Sequence, residues 1–171
     1  HNVVGLQHAS MAIYNAWCDR TPVMVMGGTG PMNSSKRRPW IDWIHTALVQ
    51  GNLVRDFVKW DDQPVGIEAI PSSMMRGYRI AMSDPTGPVY LCFDVTDQEA
   101  VIEKEVPLPD PSRFRPPAPL QAETDAIREA ARLLASAQNP VILADYVGRN
   151  NDAVLSLVEL AQLLSIPVID L

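Results

Sequence analysis

Apolar residues recur along the chain in two alternating rhythms. Ala9, Ala12, Ile13, Ala16 and Trp17 fall at the spacing of one helical face, and Arg20-Thr21-Pro22 ends the pattern, because proline disfavours helix in the residue before it. Val23-Met24-Val25-Met26 follows as an unbroken apolar run, which suits a parallel strand covered on both faces, and leads into the turn-like Gly27-Gly28-Thr29-Gly30-Pro31. A second amphipathic stretch places Trp40, Trp43, Ile44, Ala47 and Leu48 on one face, and Phe57-Val58-Lys59-Trp60 reads as a short strand. Pro71 suits the first turn of a helix whose stripe of Met74, Tyr78, Ala81 and Met82 runs to Ser83. Asp84-Pro85-Thr86-Gly87-Pro88 marks a turn, and Val89-Tyr90-Leu91-Cys92-Phe93 another strand. Helices alternate with strands and no hairpin dipeptide joins two strands, so the pattern predicts an α/β fold with parallel-sheet layers.

Between Val106 and Leu120 lie Pro107, Pro109, Pro111, Pro116, Pro117 and Pro119. Proline donates no main-chain hydrogen bond, so this stretch tends to extended geometry and reads as a semi-rigid connector. Its position divides the chain into a first domain over 1–105, a linker over 106–121 and the start of a second domain over 122–171. Beyond the linker, Ala126 to Ala137 predicts a helix capped by Thr124, Val141 to Ala144 a strand, Asn151 or Asp152 the cap of a helix to Leu164, and Ile166 to Leu171 a second strand. The chain opens on His1 and closes inside an apolar run, which reads as a piece of a longer polypeptide.

Composition narrows the function classes. With 47% hydrophobic and 20% charged residues among 171, the chain carries enough apolar material for a packed core. No apolar run approaches the roughly 18 residues of a membrane span, and no secretion signal opens the chain. A net charge of −6 is the wrong sign for nucleic-acid binding. Cys18 and Cys92 sit far apart in apolar stretches, which suits buried thiols in a reducing, cytoplasmic setting. No histidine or cysteine spacing matches a metal site.

Chemistry-bearing motifs are sparse. Gly27-Gly28-Thr29-Gly30 lacks the Lys-Ser/Thr of a phosphate loop, and Asn33 stands where a dinucleotide fingerprint needs a third glycine. The plainer reading is a turn at a strand end. Lys36-Arg37-Arg38 reads as a solvated loop, and Trp40 with Trp43 as core or subunit-interface packing. His1, His8 and His45 are the candidate acid/base groups, since imidazole titrates near neutrality. Partly buried polar histidines are the alternative reading of all three.

Several stretches resemble the thiamine diphosphate-dependent 2-oxo acid decarboxylase and carboligase family, which includes acetolactate synthase, benzoylformate decarboxylase and benzaldehyde lyase. They are Asn15-Ala16-Trp17 with Arg20-Thr21-Pro22 and the strand into Gly27-Gly28; Lys59-Trp60, Pro64, Pro71 and Arg79-Ile80-Ala81; Pro85-Thr86-Gly87-Pro88-Val89-Tyr90-Leu91; and Asn139-Pro140-Val141-Ile142 with Ile166-Pro167-Val168. The resemblance covers almost the whole chain. It implies the later part of a pyrimidine-binding domain followed by the start of a Rossmann-like central domain.

The resemblance also implies an enzyme: a homodimer or homotetramer that uses thiamine diphosphate and magnesium to decarboxylate or ligate 2-oxo acids, in the manner of acetolactate synthase. The cofactor-protonating glutamate and the diphosphate and magnesium segment fall outside this chain, so the chain alone is expected to be inactive. Aligned on Asn15-Ala16-Trp17, His1 falls on the proton-transfer histidine of the benzoylformate decarboxylase pattern. Gln7 and His8 fall in a loop facing the cofactor, and Ile44, His45 and Thr46 in a substrate-pocket segment. His45 departs from the patterns of both relatives there, and a polar residue favours a smaller or more polar acyl group. The alternative is a noncatalytic nucleotide-binding or structural module, because the central domain of some relatives binds an adenine nucleotide or flavin adenine dinucleotide. The lone Gly148 after the strand of that domain argues against both ligands.

Overall fold

The computed structural model describes all residues, His1–Leu171. They form two compact units, His1–Pro119 and Leu120–Leu171. No helix is long and apolar enough to cross a membrane.

In the first unit, helix α1 (Val3–Cys18) precedes strand β1 (Met24–Thr29), a short helix α2 (Ile41–His45), strand β2 (Trp60–Asp62), helix α3 (Ile70–Met82), strand β3 (Val89–Asp94) and the single-turn helix α4 (Val95–Gln98). The strands pair in the order β1-β3-β2, all parallel, with Met24 opposite Val89 and Trp60 opposite the same residue. The continuous apolar run Val89-Tyr90-Leu91-Cys92 takes the middle position and is buried throughout, as a strand with a layer on each face must be. Side chains alternate between the layers. On one face Val25, Tyr90 and Cys92 meet Leu6, Ala9 and Ile13 of α1 together with Val54, Phe57 and Val58. On the other, α3 comes close through Gly77, whose Cα hydrogen points at Trp60, Leu91 and Met24. The parallel α/β expectation holds.

Local elements depart from the sequence reading in four places. The helix expected from Ala9 starts at Val3, so Gln7 and His8 lie inside α1 and not in a loop. The glycine segment does not turn: Gly27 and Gly28 continue β1 opposite Cys92 and Phe93, and the chain leaves the sheet only after Thr29. Ladder hydrogen bonds to β3 outweigh the strand-weakening tendency of glycine here. The second amphipathic stretch is helical only from Ile41 to His45, and Trp40 before it takes a left-handed conformation with φ of 55°, which breaks the face that would have joined Trp40 to Leu48. Trp40, Trp43, Ile44 and Leu48 are all exposed, so they are not core. The strand expected at 57–60 starts at Trp60, because 55–57 form a 3-10 turn.

The two stretches most characteristic of the resemblance meet in space. Val89 N–H donates to Val23 O at 2.9 Å, and the Thr86 hydroxyl donates to Arg20 O, joining Arg20-Thr21-Pro22 to the turn before β3. Within the proline-rich stretch, residues 111–114 form a 3-10 turn capped by Asp110, which accepts from the main chain and hydroxyl of Ser112.

In the second unit, α5 (Thr124–Ser136), β4 (Ile142–Ala144), α6 (Asn151–Leu164) and β5 (Val168–Asp170) follow one another, and β4 and β5 pair in parallel. Asn150 caps α6 by accepting from Asp152 N–H at 3.0 Å, one residue earlier than the sequence suggested. Ala144 and Ile166 are the buried apolar residues of this unit, while Leu143, Leu155 and Leu163 are exposed.

Candidate functional site

In open parallel sheets, ligands bind where loops leave the carboxyl ends of the strands. At that end of β1 and β3 lies a hollow of about 330 Å³, lined by His1, Met26, Gly27, Gly28, Arg38 and Gln98 among others. A larger apolar hollow of about 660 Å³, between α3 and the proline-rich turn, has Met74, Met75 and Phe114 in its wall but no histidine or carboxylate. Of the two, the smaller one carries an imidazole in its lining.

His1 precedes α1 and folds back over its first turn. Gly5 permits this, since a Cβ there would collide with the Cβ of His1. The His1 carbonyl accepts from Gly28 N–H at 3.2 Å, which ties the residue to β1. Its ring meets that of His45 edge to face, with centroids 6.2 Å apart and planes at 89°. Two of the three histidines, 44 residues apart in the chain, thus share one place.

Helical periodicity explains how α2 sorts its residues. Asp42, His45 and Thr46 stand three and four positions apart on the inward side. Asp42 is buried and accepts three hydrogen bonds from Arg38: 2.7 Å from its main-chain N–H, and 3.1 and 3.0 Å from its guanidinium. Those bonds hold the Asp42 carboxyl below the usual carboxylate range. Arg38 is thereby anchored at the rim of the hollow while its side chain stays exposed in a loop, as the solvated-loop reading expects; Arg37 donates to Pro31 O at 2.8 Å and covers the Trp43 ring at 4.8 Å. Ile44 turns outward, 64% exposed, and does not join His45 and Thr46. His45 Nδ1 and Thr46 Oγ1 are buried and have no hydrogen-bond partner.

Gln7 and His8 do not reach the hollow. Leu6 and Ile13 are the buried residues of α1, and the next two positions after Leu6 rotate away from the core into exposure. Three other side chains support the site and escaped sequence reasoning. Asp94, the last residue of β3, accepts from Met32 N–H at 2.9 Å and Thr96 N–H at 2.8 Å, joining the loop after β1 to the start of α4. Gln50 and Tyr90 are both fully buried under the glycines, their side chains 2.7 Å apart. Arg38 and Asp42 pair at i, i+4, but Arg38 lies in the loop before α2, so helical periodicity does not predict the pair. Nothing local marks Gln50. No group of three histidine, cysteine or acidic side chains could hold a metal ion.

No protein-family model matches the chain. It is 30% identical over 174 aligned residues to the probable acetolactate synthase large subunit of Methanocaldococcus jannaschii, an alignment covering 96% of this chain and 27% of that protein. Its fold is similar to that of a thiamine diphosphate-dependent 4-hydroxybenzoylformate decarboxylase from Rhodococcus jostii RHA1, with a TM-score of 0.79, 24% identity, and coverage of 99% of this chain and 31% of that one. A benzoylformate decarboxylase from Polynucleobacter necessarius gives a TM-score of 0.76 at 24% identity, covering 99% and 30%. The chain spans about three-tenths of the length of each relative. Its sequence is thus similar to a part of an acetolactate synthase large subunit, and its fold is that of the corresponding part of the two decarboxylase structures.

Proposed function

We propose that this chain forms one wall of a thiamine diphosphate site in a longer enzyme that decarboxylates 2-oxo acids or joins their acyl group to an acceptor, and that the chain alone is inactive. The observation that carries the reading is that His1 lines a hollow floored by Gly27-Gly28 at the carboxyl edge of a parallel sheet, with the His45 ring edge to face against it and outside the hollow's own lining. When bound, the cofactor supplies an electron sink for the carbanion left as carbon dioxide departs. These residues fit one flank of such a group: glycines let a planar ring approach the strand closely, and an imidazole stands at the rim. They do not fit the diphosphate, because the glycines lie in a strand and no metal-ligand cluster is present. Diphosphate and magnesium fall to parts of the enzyme outside this chain.

Within this wall His1 gives and takes the proton of the substrate-derived hydroxyl. His45 and Thr46 bound the acyl pocket and favour a small or polar acyl group, while Ile44 faces away from them. Gln7 and His8 stand outside the hollow on the exposed side of α1, and would touch a bound cofactor only from there. Met11 and Tyr14 on α1, and Trp43 and Ile44 on α2, are exposed apolar surface of the kind a second subunit covers, which supports a homodimer or homotetramer. Cys92 is buried, whereas Cys18 is exposed and so departs from the buried-thiol expectation; a cytoplasmic setting suits cysteines that form no disulfide.

The test is turnover of the full-length protein with thiamine diphosphate, magnesium and a panel of 2-oxo acids. Carbon dioxide release is expected for at least one, with kcat reduced about 10²- to 10⁴-fold by His1→Ala. Absence of turnover across the panel, or full activity of the variant, overturns the reading. Calorimetric binding of flavin adenine dinucleotide or adenosine diphosphate without turnover would favour the nucleotide-binding alternative instead.

A further inference from the structure

We infer that Gln50 is a positioning residue for His1, acting through the main chain of Gly28; the inference rests on the reading of His1 as the proton-transfer group. Gln50 opens a 3-10 turn (Gln50–Leu53) and is fully buried. A primary amide with no access to water is costly unless its hydrogen bonds are made inside the protein. The two hydrogens of its Nε2 are both used: one goes to Gly28 O at 3.1 Å, the other to the Tyr90 hydroxyl at 2.7 Å. Gly28 N–H in turn donates to His1 O. Both main-chain groups of Gly28 are therefore taken, one by the histidine and one by the glutamine. The strand end that carries the floor of the hollow is held between them.

Two further observations show the arrangement to be specific to this amide. Tyr90 reaches Gln50 only because position 27 is glycine, since a Cβ there would collide with the phenol oxygen. The same glycine that bares the floor also admits the anchor beneath it. Gln50 Oε1 is buried without a partner, so the amide is oriented wholly by what its nitrogen donates. The donation to Gly28 is lost when an ionised carboxylate replaces the amide, because Gly28 O can only accept, whereas the Tyr90 hydroxyl can turn and donate to the carboxylate.

The chain Tyr90–Gln50–Gly28–His1 runs from β3 through a loop turn to β1 and ends at the residue before α1. It links three elements whose relative placement decides where the His1 ring stands. Loosening it displaces the ring without removing any group that touches substrate, and a displacement of about 1 Å is enough to cost on the order of a hundredfold in rate.

The experiment compares full-length wild type, Gln50→Glu and Gln50→Met. Gln50→Glu keeps the shape and abolishes the donation to Gly28; Gln50→Met fills the same volume with no polar group and guards against a failure to fold. The readouts are kcat and KM on the best 2-oxo acid, and the nuclear magnetic resonance signal of the His1 imidazole with isotope-labelled histidine, assigned by its loss in His1→Ala. We expect a shifted or broadened His1 signal in each folded variant, and kcat reduced about 10- to 100-fold with KM within about twofold. A purely structural glutamine would lower the melting temperature and leave both the signal and kcat of the folded protein as in wild type; that result overturns the inference. A moved His1 signal in a protein that turns over no 2-oxo acid upholds the positioning and removes the proposed function. Turnover in wild type with an unmoved signal and unchanged kcat in both variants does the reverse.

Discussion

The hydroxyl of Thr46 packs against the bare Cα of Gly30, and a Cβ at position 30 would overlap it. This contact sets α2 and its two inward residues against the end of β1, where Thr29 also donates toward Ala47 O at 3.5 Å. Gly30→Ala should destabilise the protein by about 1–3 kcal/mol through overpacking. Gly30→Ala combined with Thr46→Ala should recover most of that loss, because the second change removes the atom in the way. Urea unfolding of the two single variants and the double variant measures the coupling; additive effects would show that the pair does not touch.

Asp42 carries an acid-sensitive part of the stability. Its folded-state carboxyl ionises below the ordinary carboxylate range because Arg38 donates to it three times. A depressed value means that the stabilisation is complete above the unfolded value of about 4 and is lost as pH falls through the folded one. Asp42→Asn should therefore unfold at lower temperature than wild type near neutrality, and the gap should close on acidification. Melting temperatures from about pH 6 down to about pH 3 test this, and a gap independent of pH would contradict the assignment.

Tyr90 should be the last tyrosine to ionise. Burial is the main cause that pushes its phenol well above the usual range, and the nearby Cys92 adds to it. A raised folded-state value means that the stabilisation is present below the unfolded value of about 10 and is lost as pH rises above it. In an alkaline spectrophotometric titration, one of the four tyrosines should ionise only together with unfolding, and Tyr90→Phe should delete that step. Smooth ionisation of all four before the far-ultraviolet signal changes would show the phenol to be accessible.

The proposed place of His45 in the acyl pocket makes a prediction about substrate choice. Replacing it by leucine leaves an apolar wall and removes the unpartnered Nδ1. In the full-length protein His45→Leu should shift kcat/KM toward aromatic over short-chain 2-oxo acids by about tenfold, the scale of a modest change in an apolar pocket. Competition between pyruvate and benzoylformate measures the ratio. An unchanged ratio would take His45 out of the acyl pocket.

The exposed aromatics of α1 and α2 should respond to assembly. Trp17, Trp40 and Trp43 are exposed in this chain, whereas Trp60 is half-buried. If the full-length protein assembles over these helices, acrylamide quenching of its tryptophan fluorescence should fall well below that of the isolated chain. Equal quenching would place the subunit contact elsewhere.

The alternation of elements, the parallel sheet and the strand Val89-Tyr90-Leu91-Cys92 were legible in the sequence, because the periods of helix and strand and the turn chemistry of Pro85-Thr86-Gly87-Pro88 are local properties. So was the resemblance that directed attention to His1 and His45. Tertiary structure decided what becomes of the glycines. Their local preference is for a turn, yet pairing with Cys92 and Phe93 draws them into β1 and makes them a floor. It also decided which way neighbouring residues point: His45 and Thr46 inward, Ile44 outward, Gln7 and His8 off the hollow. Gln50, which no local pattern distinguishes, acquires its place only when Gly28 and Tyr90 arrive from two different strands. Hydrogen bonds between residues 22 and 40 positions away cannot be read from spacing, because chain folding, and not sequence distance, brings their atoms together.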